Sequence, residues 1–136
     1  MSLLDKKQIG CYTMFILMML SASFKILNYG PSVHFYVYPL PDLMLNSIGY
    51  IEFVCGILYL IGVKKSSFRF FGGLIVIPLL IGAVGSHIAF GWFNLFDGIS
   101  EPFHFTLPSF IILCLAIWIS YNPIVKFIKS GFKIVE

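Results

Sequence analysis

The sequence predicts an all-α integral membrane protein, a four-helix up-down-up-down bundle with both termini on the cytoplasmic side. Three observations carry that reading. The first is composition: 136 residues, 59% hydrophobic and 11% charged, with a mean hydropathy of +0.94. Soluble domains carry about 25% charged residues, so this chain could not cover its surface with polar groups in water. The second is the presence of four apolar runs, each near the roughly 20 residues a helix needs to cross a bilayer. The third is charge asymmetry. Eight of the nine basic residues fall before the first run, around the second connection or after the fourth run, and the first and third connections contain none. Basic residues stay on the cytoplasmic side. The net charge of +3 is therefore topology, and nothing in it points to nucleic acid.

The first span is expected over residues 8–27, behind Lys6 and Lys7. Its far end, "SASFKILNYG", imitates the small-residue cleavage site of a secretory signal. The apolar run continues through Ile26 and Leu27, so the segment reads as a retained helix. The connection "NYGPSVHFYVYPLPD" is rich in Tyr and Phe, as an interfacial aromatic belt is. Pro31, Pro39 and Pro41 keep it from continuing as helix. The second span is expected over 43–63, followed by Lys64, Lys65 and Arg69. The third is expected over 68–90, with a kink at Pro78.

The outer connection "FNLFDGISEPFHF" holds Asp97, Glu101 and His104. Glu101 and His104 stand three apart, but one such pair does not make a metal site, and Pro102 marks a helix start. A solvated loop with an acidic residue at a helix N-terminus is the better reading, and no metal is expected. The fourth span is expected over 103–121. In the tail, 122–136, Lys126, Lys129 and Lys133 share one helical face, opposite Ile124, Phe127, Ile128, Phe132 and Val135. Two readings stand for it: a basic amphipathic helix lying on an anionic membrane surface, or a frayed tail, because Gly131 weakens the helix. Cys11, Cys55 and Cys114 sit in apolar runs without a C-x-x-C pair, and read as small packing residues.

Lys25 and Glu52 are the charged side chains that fall clearly within the spans, and His87 is a third ionisable group there. A charge at the bilayer centre costs about 3 kcal/mol on insertion scales. At ~1.5 Å per residue, Lys25 lies a few ångströms from the outer end and Glu52 roughly 13 Å below it. His87 is about one turn from its exit. Lys25 extending down and Glu52 extending up can meet, and His87 can join them. Gly49, Glu52, Gly56 and Tyr59 recur at helical spacing, and Gly82, Ala83, Gly85 and Ser86 precede His87. Small residues of this kind let helices approach closely. Gly49, Gly56, Gly82 and Gly85 are thus expected at helix contacts. Two readings of the three charges stand side by side. One is a polar pocket near the outer face for a substrate, a quinone head group or a proton. The other is an ionic lock that holds helix register. Lys25 taken alone would snorkel to the interface.

The "FKIL" ending of the first span, the "LP" connector, "IGYIEFVCGILYLIG" and "IGAVGSHI" occur here in that order. Together they resemble the DoxX-like membrane proteins over roughly residues 14–121. Family motifs recurring at these places fall on Lys25 (followed by Ile26 rather than leucine), on Gly49 with Glu52, and on Ala83 with His87. The resemblance implies a four-helix protein of the bacterial inner membrane. It also implies a subunit or accessory of a membrane redox or oxidative-stress complex, since some relatives belong to a thiosulfate:quinone oxidoreductase. Such activities need partner subunits, so the chain is not expected to be an enzyme on its own. It carries no recognisable haem, flavin or iron–sulfur ligand set, and a quinone is the one cofactor the reading leaves open, as it does a homo-oligomer. A non-catalytic assembly or chaperone-like protein is the alternative. A small-solute or proton carrier is weaker, because no internal repeat or broken-helix pair is present.

Overall fold

The computed structural model describes residues 3–27, 42–95 and 103–133. All the secondary structure among them is helical: α1 (Leu3–Ile26), α2 (Asp42–Gly62), α3 (Ser66–Leu95) and α4 (Phe103–Lys129). Three helices are long and apolar enough to cross a membrane, over Lys6–Ile26, Ser66–Gly85 and Ser109–Lys129. The apolar stretch of α2, Asn46–Gly62, is shorter. At 1.5 Å per residue it covers roughly 25 Å. Hydropathy alone led to four full spans. Among the described residues, three of the four are long and apolar enough by this measure.

The helices outrun the expected spans. α1 begins at Leu3 and α3 runs unbroken through Pro78 to Leu95. α4 passes through Asn122 and Pro123 to Lys129, so the start of the expected tail is a direct continuation of the fourth helix. A proline inside a helix removes one backbone hydrogen bond and costs about 3 kcal/mol. Packing offsets this: Pro123 is buried, and the Phe127 ring sits 4.5 Å from the Phe70 ring, centroid to centroid. Gly131 ends α4 rather than weakening it. Its φ is +68°, its N–H donates to the Ile128 carbonyl at 3.3 Å, and the Phe132 N–H donates to the Phe127 carbonyl at 3.0 Å. Those two bonds satisfy carbonyls the helix end would leave bare, and the Phe127–Phe132 ring contact at 5.5 Å completes the cap.

The interior is one apolar cluster. α1 supplies Cys11, Met14 and Met18, and α2 supplies Cys55 and Tyr59. α3 adds Val76, Leu80 and Val84, and α4 adds Leu113, Ala116 and Ile119. The outward faces are apolar too, with Ile16, Leu20, Val54, Leu74, Ile81 and Ile111 all exposed. A helix that is apolar all round is buried or faces lipid. Cys11 and Cys55 are buried packing residues, as the sequence suggests, but Cys114 is exposed.

α1 packs mainly on α2 and α3 mainly on α4, and the α2–α3 contact joins the two pairs. Gly62 abuts Arg69, Phe70 stacks with Phe127, and Gly10 abuts Trp118 and Ile119. The start of α1, the turn between α2 and α3 and the end of α4 therefore gather at one end of the bundle. That end holds Lys7, Arg69 and Lys126, and Lys25 lies away from it.

Candidate functional site

The site begins with two helix positions. Lys25 stands in the last turn of α1, and Glu52 stands in the middle of α2. The Lys25 Nζ donates to Glu52 Oε1 at 2.7 Å and to Oε2 at 2.6 Å. It donates again to the Ser21 Oγ at 2.6 Å. Ser21 is four residues before Lys25, so both lie on one face of α1. An ammonium has three N–H donors, and these three contacts use all of them. Lys25 therefore turns inward instead of snorkelling. The side chains are 19% and 7% exposed, so the pair is largely shielded from its surroundings.

Gly49 is what lets the helices come close enough. It precedes Glu52 by one turn and faces α1. A Cβ added there would lie 2.9 Å from Ile26 Cγ1, 3.1 Å from Lys25 Cβ and 3.3 Å from the Ala22 carbonyl oxygen. Gly56 continues the same seam two turns on, against Met18 and Met19 at 3.4 Å. We expect Gly49→Ala to lower stability by about 1–2 kcal/mol, the ordinary cost of overpacking. A thermal melt of the detergent-solubilised protein reads this. An unchanged midpoint would mean that α1 and α2 are not held this close.

The other expected site residues fare differently. His87 belongs to α3, but its side chain lies outside the described residues, as do His34, Asp97, Glu101 and His104. Gly82 and Gly85 are exposed, and a Cβ at either would meet nothing within 4 Å among the described residues. The close packing expected of them is not found there. They fall on the face of α3 opposite the core residues Val76, Leu80 and Val84, where an added side chain would meet no described helix. Among the described residues no group of three or more His, Cys, Asp or Glu is placed to hold a metal.

Two polar features lie outside the sequence expectation. The Tyr59 hydroxyl and the Ser120 Oγ form a hydrogen bond of 3.1 Å inside the core. Both residues are fully buried, and Gly73 of α3 gives Ser120 its space. Tyr59 shares the helical face of Glu52 and Gly56, which is a visible signal. Its partner is 61 residues away, and no local pattern marks it. The second feature is Lys7, only 9% exposed, whose ammonium lies 6.0 Å from the centroid of the Trp118 ring.

The Glu52 carboxylate accepts two of the three bonds that Lys25 donates, and the Ser21 Oγ accepts the third. Compared with known family models, curated proteins and solved structures, the chain matches none.

Proposed function

We propose that this is a DoxX-like, multi-pass protein of the bacterial inner membrane. Its helices run up-down-up-down with both termini in the cytoplasm. It acts as a subunit or accessory of a membrane redox or oxidative-stress complex, quinone-linked, with Lys25, Glu52 and His87 as its polar site near the outer face. Glu52 is the proton-accepting group, Lys25 its counter-charge and His87 the switchable donor. The observation that carries the reading is the Lys25–Glu52 contact at 2.6–2.7 Å between two apolar helices. Charges at membrane depth are costly, and they mark functional sites by default. Two positions that carry the family resemblance, Lys25 and Glu52, meet in that contact, with Gly49 beside them.

A second reading has its own support. All three donors of Lys25 are already engaged within the protein, which is what a closed ionic lock requires. On that reading the chain is a non-catalytic assembly or chaperone-like membrane protein. Glu52→Gln separates the two. It keeps the shape and hydrogen-bonding capacity of the side chain and removes the charge. Wild type and variant are purified gently from membranes, and co-purifying subunits and quinones are measured against the amount of folded protein. The first reading expects folded Glu52→Gln protein that has lost its quinone or its partners. Loss of folded protein alone, with nothing specific lost from what remains, selects the lock.

A further inference from the structure

We propose that the groove between α1 and α4 at the basic end of the bundle holds the phosphate of an anionic phospholipid, with Lys7 as its charge partner. The groove has a volume of about 520 Å³ and is lined by Lys7, Cys114, Ile117, Trp118, Tyr121 and Asn122. The five residues from α4 recur at three- and four-residue steps and so form one face of that helix. Cys114, Ile117, Trp118 and Tyr121 are exposed and apolar or amphipathic, and they face outward from the bundle. Lys7 and Asn122 supply the polar groups. An apolar wall with an ammonium and an amide beside it matches a lipid, whose acyl chain and headgroup need those two surfaces together.

The charged side chains described at this end are all basic. Lys7 is 9% exposed, so its ammonium lies along the protein instead of extending into solvent. It lies against Trp118, which neutralises no charge. Arg69 adds a second positive charge at the same end of the bundle. The Arg69 Nε is buried without a hydrogen-bond partner among the described residues. The one ion pair among the described residues is Lys25–Glu52, so neither Lys7 nor Arg69 has a carboxylate partner there. Basic pockets between membrane helices bind anionic headgroups in this way. A free phosphate would satisfy the charge but leave the apolar wall unused, so the lipid is the better occupant. The groove lies 18 residues along α1 from Lys25, roughly 27 Å in a helix, and the inference stands apart from the function of that pair.

The test uses the full chain in nanodiscs of equal phosphatidylglycerol and phosphatidylcholine, with retained lipid counted by native mass spectrometry. We expect the wild type to retain phosphatidylglycerol over phosphatidylcholine. Lys7→Gln should weaken that retention about fivefold, the worth of one cation near an anionic headgroup. Lys7→Arg should preserve it, and Asn122→Ala should lower it. Lys129→Gln, at an exposed cation outside the groove, should leave it unchanged. Equal retention of the two lipids by the wild type overturns the proposal without any variant being needed. So does an equal loss in Lys7→Gln and Lys129→Gln, which would make the attraction a general surface charge. Displacement of the lipid by millimolar inorganic phosphate overturns it as well, and assigns the groove to the free anion.

Discussion

Lys25→Met should destabilise the folded bundle by about 3–5 kcal/mol, the usual cost of leaving a buried charge without its partner. Glu52 is the more buried partner, with a side chain 7% exposed in the middle of α2. Glu52→Leu should cost less. The Lys25 ammonium left behind stands in the last turn of α1 and can snorkel outward along its flexible stem. The double variant, Lys25→Met with Glu52→Leu, should return most of the stability, because it removes both charges and leaves apolar groups of similar volume. Unfolding of the four proteins in one detergent, followed by tryptophan fluorescence, completes the cycle. If the double variant is as unstable as Lys25→Met, the two side chains do not act as a pair, and the contact contributes nothing specific.

Gly73→Ala should be nearly as damaging. A Cβ at Gly73 would overlap both the Oγ and the Cβ of Ser120. Ser120 is fully buried, and its hydroxyl is bonded to the fully buried Tyr59, so neither side chain has room to give way. α3 must move from α4, at a cost of about 3 kcal/mol, the upper end of the overpacking range. Ser120→Gly in the same chain removes both clashing atoms and should recover part of the loss. The recovery stays incomplete, because the Tyr59 hydroxyl then lacks a partner, worth about 1–3 kcal/mol. The measurement is again the unfolding midpoint. A Gly73→Ala protein that melts with the wild type would mean that α3 and α4 meet elsewhere.

Part of the site is legible in the amino-acid sequence. Lys25 and Glu52 stand out because the apolar runs around them hold almost no other charge, and rise per residue alone places them within reach of one another. Gly49 is visible for a related reason, lying one turn before Glu52 on the same face. Gly82 and Gly85 show where such reasoning stops. Small residues at helical spacing mark a face that can be approached, and they do not say which face of α3 meets a neighbour. Lys7 reads from sequence only as an orientation signal at the start of a span. Its burial against Trp118 depends on how α1 lies on α4, and no local pattern encodes it.

The sequence by itself determined that this chain is helical and suited to a membrane, and it singled out the two charges that meet. Those properties follow from composition and from the 3.6-residue period, which act locally and need no neighbours. The tertiary structure decided the rest: that Ser21 completes the coordination of Lys25, and that Tyr59 finds Ser120 across the core. Among the described residues it also places Gly73, and not Gly82 or Gly85, in close contact on α3, and it carries α4 through Pro123, with Phe127 packed on Phe70. Apart from the Ser21 bond, which lies within α1, each of these depends on how one helix is set against another. In a chain apolar on every face, hydrophobicity leaves that rotation open, and close packing and a few hydrogen bonds set it.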